Sequence, residues 1–269
     1  MDILFKNGMA KCVTLSYDDG KIFDKKLVDI LNRHGLRCTF NLNSGLLNTS
    51  AGTGNNTMSL EQAQQLFIGS HHEVAIHGYK HLHMESLNHT ELMREIIEDK
   101  KQIETDFHCI ARGMAYPFGT YNADVLSALS LCGIKYARTV RATESFDLPQ
   151  NWLELNPTCH HRSPKLMEIA EEFVNGTNHR YKMFYLWGHS YEFNNDNNWE
   201  VIENFADFIG GRDDIWYATN IEIYDYVNAY NSLNTSYDGK YIQNTSAIPV
   251  WVRCNERTYK INPGETVEV

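Results

Sequence analysis

What most constrains the fold of this chain is an alternation: short runs rich in β-branched and aromatic residues, each followed by a longer amphipathic run. Side chains alternate between two faces along a strand but return to one face every 3.6 residues or so along a helix, so this switching builds β-α units around a parallel sheet. The runs Cys12–Tyr17, Arg37–Leu42, Glu73–Ile76, Gly113–Tyr116, Lys135–Val140, Lys182–Trp187 and Ile215–Thr219 read as strands. Between and after them, Phe23–Arg33, Leu60–Phe67, Thr90–Asp106, Ala123–Leu131, Pro164–Val174, Trp199–Phe208 and Ile221–Tyr230 read as helices. Asn122 and Asn220 stand just before two of these, where a short polar side chain can accept from an orphan helix amide. Seven units predict an α/β fold, a distorted (β/α)7 barrel, with a doubly wound open sheet as the alternative. In both, chemistry collects at the carboxyl ends of the strands.

After Ser232 the chain turns polar, then gives Ile248-Pro249-Val250-Trp251-Val252 and Thr258-Tyr259-Lys260-Ile261, joined through Asn255-Glu256, and a short strand after Pro263-Gly264. This predicts a small C-terminal β appendage built on a hairpin, packed on the barrel or serving as a sugar platform. The expected division is a barrel over 1–231 and an extension over 232–269.

A chain of 269 residues can bury one large core. A formal net charge of -10 argues against a nucleic-acid partner, because phosphate binding needs clustered cations. Six cysteines without a CxxC pair point to reduced thiols rather than a disulfide framework. No apolar run is long enough to span a bilayer, so no membrane partner is expected, and without a leader pattern at Met1 the chain reads as cytoplasmic, or secreted if a signal was trimmed. Asn-X-Ser/Thr triplets at Asn48, Asn55, Asn88, Asn175, Asn234 and Asn244 read as chance in an Asn-rich chain. Composition leaves the oligomeric state open.

Four segments can carry chemistry. Ser16-Tyr17-Asp18-Asp19-Gly20 follows the first strand; alone it reads as a turn with a helix cap, but one carboxylate could bind a metal while the other takes a proton from water. His77 and His81, where the third strand runs out, have the i, i+4 spacing that lets two imidazoles chelate one cation. Around them His71, His72, His83 and His89 make the region His-rich without adding ligand spacing. Ala115-Tyr116-Pro117-Phe118-Gly119 breaks the fourth strand in a turn able to aim a backbone N–H at an oxyanion, and an apolar strand delivers His189 at its end. All four fall on the carboxyl edge. Together they supply three ligands, a base, an oxyanion donor and an acid.

From about Lys11 to Tyr230 this order resembles the polysaccharide deacetylase family, carbohydrate esterase family four with the NodB-homology fold. Ser16-Tyr17-Asp18-Asp19-Gly20 is similar to its Thr-Phe-Asp-Asp-Gly motif, His77 through His81 to its His-X-X-X-His motif, and Leu186-Trp187-Gly188-His189 to its Leu-X-Ile-His motif. The resemblance implies Asp18 as general base, Asp19, His77 and His81 as ligands of a divalent metal such as Zn²⁺, His189 as the acid and the Phe118 N–H at the oxyanion. It implies an acetylated carbohydrate substrate. The family's third motif commonly begins with Arg, but Ala115 stands there; Arg138 on the next strand is the expected substitute, with Arg112 more remote. Its Asp–Trp fourth motif has no clean match, Asp147 and Trp152 being the nearest. Tyr116, Phe118, Tyr121, Trp187 and Tyr191 are candidates to stack on sugar, most of them more suited to packing.

The expected activity is therefore removal of N-acetyl groups from an acetylated amino-sugar polymer or oligosaccharide. The alternatives are O-acetyl ester or non-sugar amide hydrolysis on the same fold, and a sugar-binding protein whose catalytic site has decayed.

Overall fold

The computed structural model describes residues 1–47, 56–176 and 181–269. Its strands are β1 (Asp2–Leu4), β2 (Lys11–Asp18), β3 (Cys38–Leu42), β4 (Glu73–Ile76), β5 (Gly113–Ala115), β6 (Tyr136–Arg138), β7 (Cys159–His160), β8 (Lys182–Gly188), β9 (Ile215–Tyr217), β10 (Asn234–Thr235), β11 (Tyr241–Gln243), β12 (Val250–Cys254), β13 (Arg257–Ile261) and β14 (Thr266–Glu268). The main sheet has eight parallel strands, ordered β6-β5-β4-β3-β2-β8-β7 with β9 also on β2. It curls into a half-barrel, with helices packed against it.

Seven of the eight strands lie where the pattern placed them. The eighth, β7, is two residues long, too short to give any periodic signal, yet it brings His160 to the carboxyl edge beside Trp187. β2 is the axis of the sheet. It runs in register with β8 from Lys11 to Tyr17, while its other edge is shared by β9 along Lys11–Val13 and β3 along Leu15–Asp18. All eight of its residues are buried, which is why Val13, Leu15 and Tyr17 are hydrophobic on one face while Thr14 and Ser16 on the other find hydroxyl and amide partners inside. Between β6 and β7 the ladder is carried by Leu155, whose N–H goes to Ala137 and whose carbonyl takes the Thr139 N–H.

The helices cover the sheet through apolar stripes, such as Leu27, Val28, Ile30 and Leu31 of helix Asp24–Arg33. Asn122 caps helix Ala123–Leu131 through the Val125 N–H, as its position suggested. The cap of helix Asn220–Asn231, however, is Thr219, in a reciprocal box with Glu222. Asn220 is turned inward instead, donating to Tyr185 Oη and accepting from Thr14 Oγ1. No helix among the described residues is long and apolar enough to cross a membrane.

The C-terminal segment forms two three-stranded antiparallel sheets, β1-β12-β13 and β10-β11-β14. The β12–β13 hairpin turns at Asn255 and Glu256, both with positive φ, as a two-residue hairpin turn requires. β1 lies antiparallel to β12, so Asp2–Leu4, expected with the barrel, pair with the appendage. Asn244 is buried there, donating to the Ile248 and Ile261 carbonyls; Asn48 and Asn55 lie outside the described residues.

Candidate active site

Parallel register gathers the site at one edge. Asp18 is the last residue of β2; His77 follows β4, Phe118 follows β5, Arg138 ends β6, and His189 follows β8. Asp18 is almost wholly buried. Its Oδ2 accepts from Arg138 Nη2 and its Oδ1 from Asn41 Nδ2 at 2.8 Å. Burial alone would raise this carboxyl, but Arg138, His77, His189 and Asn41 together hold it at about 2. Arg138 is itself fully buried, with its guanidinium over the Trp187 ring at 4.3 Å. Arg112 forms a two-pronged pair with Asp225 and does not reach Asp18.

Asp19, His77 and His81 converge in front of this pair. Asp19 Oδ1 stands 3.6 Å from the Nε2 of each histidine. Two ligands each about 2.1 Å from a tetrahedral zinc ion stand about 3.4 Å apart, so the spacing fits one cation. The tautomer fits too. His77 Nδ1 donates to the Ala115 carbonyl at 2.8 Å, which leaves the Nε2 lone pair facing the cluster. Burial and neighbouring His77 lower the pKa of His81, favouring the neutral ring that ligates.

The backbone is bent to make this possible. Asp19, His81 and Phe118 all have positive φ (78, 55 and 58°), a conformation that costs a residue with a Cβ about 1–3 kcal/mol and persists only where surroundings enforce it. The surroundings are visible. The buried Asp99 carboxylate accepts from the His77 and Ser44 N–H groups and the Ser44 hydroxyl, and Asn43 Nδ2 donates to the His77 and Gly78 carbonyls. Burial pushes Asp99 up to about 7.

His189, one-fifth exposed at its side chain, places Nε2 3.9 Å from Asp18 Oδ2. Its Nδ1 and its backbone N–H both lie against Glu192 Oε2, at 3.2 and 3.1 Å. Burial alone would lower this imidazole, but the Glu192 hydrogen bond and the nearby Asp18 and Asp19 carboxylates raise it overall. Asp147, the residue expected beside His189, instead accepts from Ser145 at an exposed turn, and Trp152 packs edge-on to Tyr224. Both belong elsewhere.

Of the remaining histidines, His72 is wedged between the Cys38 N–H and the Asn32 side chain, with its pKa lowered to about 4 by burial. His83 stacks flat on Phe118 at 3.8 Å, and His71 and His89 are exposed. Among the aromatics, Tyr116 is core, its hydroxyl donating to the Leu153 carbonyl and its ring stacked on Tyr121, and Trp187 is buried. Phe118 is half exposed, and Tyr191 lines the cleft over Asp19 and His81, a volume of about 530 Å³ that also meets Asn43, Lys80 and Asn195.

A second cluster, not anticipated, joins His160, His161 and Glu192. Its composition matches the first, two imidazoles and a carboxylate, but the tautomer of His160 is the opposite of that of His77. His160 Nδ1 accepts the Arg162 backbone N–H, so its Nε2 carries the proton that points at Glu192, 3.1 Å away, and has no lone pair for a cation. Arg162 occupies the other carboxylate oxygen at 2.8 Å.

The sequence of this chain matches the family model described as polysaccharide deacetylase over residues 6–137, the stretch holding Asp18, Asp19, His77, His81 and Phe118. Over that stretch the chain is similar to the polysaccharide deacetylases. Solved structures agree at the level of the fold. A Mycobacterium smegmatis protein, a candidate polysaccharide deacetylase, superposes with a TM-score of 0.66 at 15% identity, over 86% of this chain and 95% of that one. A family 4 carbohydrate esterase from Streptomyces lividans, in complex with acetate, gives 0.50 at 16% identity over 75% and 88%. A family 4 pseudoenzyme from Bacillus anthracis gives 0.52 at 15% identity over 80% and 66%. No curated protein matches by sequence. Because an esterase and a pseudoenzyme share the fold, the activity of this chain has to be argued from its side chains.

Proposed function

We propose that the chain is a metal-dependent hydrolase that removes N-acetyl groups from an amino-sugar polymer or oligosaccharide. The observation that carries this reading is the single edge on which Asp19, His77 and His81 stand at cation spacing with Asp18 next to them and His189 next to Asp18. Asp19, His77 and His81 would hold a divalent cation such as zinc, which when bound polarises the acetyl carbonyl and acidifies water. Asp18, kept ionised by Arg138 and Asn41, accepts the proton of the attacking water. The Phe118 N–H, turned by its positive φ, is available to the oxyanion. His189 gives its Nε2 proton to the departing amine, and its raised pKa favours the protonated form this step requires. Acetate and a free amino sugar leave.

Asn43, Lys80, Tyr191 and Asn195 line an open cleft suited to a hydroxylated ligand, and half-exposed Phe118 offers a face to a sugar ring. The proposed location is the cytoplasm, with a trimmed secreted form as the alternative. The test is acetate release from an N-acetylglucosamine oligomer and from acetylated xylan, for wild type and Asp18→Asn. We expect release from the first, reduced by three orders of magnitude or about that in the variant. Preference for xylan would redirect the reading to an O-acetyl esterase. No release from either, with metal bound, would make the chain a sugar-binding relative.

A further inference from the structure

Glu192 lies at the centre of a cluster of imidazoles and a guanidinium beside His189. It is the third residue of the short helix Ser190–Asn195 and is almost buried. Its Oε2 alone lies within 3.1–3.2 Å of three imidazole nitrogens, His160 Nε2, His161 Nε2 and His189 Nδ1, as well as the His189 N–H. Its Oε1 holds Arg162, which also reaches Asp196. His160 is in turn fixed by the Arg162 N–H and by the edge of Trp187, the ring on which Arg138 lies. The carboxylate is therefore held by Arg162 and His160 before His189 meets it. Across this turn the His189 side chain faces the Glu192 carboxylate, 3.2 Å from Nδ1, and the Glu192 backbone N–H.

We propose that Glu192, anchored by His160 and Arg162, is the positioning residue for His189: it fixes the proton on Nδ1 and turns Nε2 toward Asp18 and the substrate. A carboxylate that receives Nδ1–H assigns the tautomer and orientation of the ring, and a ring free to rotate or to carry its proton on the other nitrogen cannot present the same atom. The role falls to a residue three positions after the acid itself, within one helical turn, rather than to a carboxylate delivered by a separate strand. In its kinetic consequence the proposal rests on the reading of His189 as proton donor; in its structural consequence it does not.

The test is Glu192→Gln, read in two ways. Arg162 stays charged and keeps the one amide oxygen, so the NH₂ group faces the imidazoles and can only donate. In protein with ¹⁵N-labelled histidine, at a pH above the His189 titration, ring correlations assigned with His189→Asn should show the proton on Nδ1 in wild type. In Glu192→Gln it should move to Nε2. With acetylated oligosaccharide, kcat should fall about 100-fold with KM within about twofold. Glu192→Asp, which keeps the charge on a shorter arm, should recover part of both, and it provides the comparison should the Gln variant fold poorly. Asp147→Asn should leave kcat as in wild type.

A His189 proton that stays on Nδ1 in Glu192→Gln overturns the proposal, as does a kcat that falls for Asp147→Asn and not for Glu192→Gln. A moved proton in a protein without acetate release from any substrate leaves the positioning role standing and defeats the deacetylase reading instead.

Discussion

Two clusters at the edge of the sheet have the same composition, two histidines and one carboxylate, and opposite chemistry. In the first, Asp19 stands 3.6 Å from His77 and 3.6 Å from His81. In the second, His160, His161 and Glu192 are closed up at 3.1–3.2 Å on one oxygen. What separates them is the partner of the other ring nitrogen. A carbonyl at His77 Nδ1 leaves a lone pair on Nε2, while an amide at His160 Nδ1 leaves a proton there. Ligand geometry is thus decided one bond away from the ligand atom. Composition and proximity alone would count both clusters as metal sites.

The contrast can be broken first at Arg138, which serves neither cluster as a ligand yet touches both halves, pairing with Asp18 and lying over Trp187. Arg138→Gln should lower kcat by about 100-fold, through a misplaced Asp18, while metal content and KM stay near wild type. Unchanged turnover would remove Arg138 from this role. Loss of metal would show that the two halves are not separable.

A smaller effect is expected at Asp24, a buried carboxyl between the clusters that accepts from Ser190 and lies near Asp18 and Asp19. Burial, with those two carboxylates adding to it, pushes Asp24 up to about 8. A folded-state pKa raised above the unfolded value favours folding at low pH, and that contribution is lost as pH rises from about 4 to about 8. Metal-free wild type should therefore lose stability across that window. Asp24→Asn should flatten the loss without abolishing it, since burial also raises Asp99 and Glu73, both to about 7. Thermal melts of the metal-free proteins at pH 5 and pH 8 read the difference; equal slopes would place the Asp24 carboxylate in contact with solvent.

Much of the fold was legible because seven β-branched and aromatic runs alternate with helices that carry caps and apolar stripes. β7 was not, because two residues have no period, and β1 was not, because its partner, β12, lies about 250 residues away and pairing at that distance leaves no local trace. In the site, the spacing of Asp18-Asp19 and of His77 and His81 was readable as chemistry, and the departure at Ala115 pointed to a neighbouring strand, where Arg138 indeed reaches Asp18. Asn41 and Asp99 act through register and burial that no local motif encodes. Glu192 carries a local signal: a Glu three residues after His189, at the start of a helical turn, is the spacing of a capping box. Asp147, 42 residues before His189, has no such local link to it.

The most direct measurement is the metal content of purified wild type, Asp19→Ala and Glu192→Gln after equilibration with zinc and removal of excess. One equivalent in wild type, none in Asp19→Ala and one in Glu192→Gln is the result predicted if the first cluster alone ligates and the second only donates hydrogen bonds. Two equivalents in wild type, or a metal that survives Asp19→Ala and is lost in Glu192→Gln, would contradict the account at its centre.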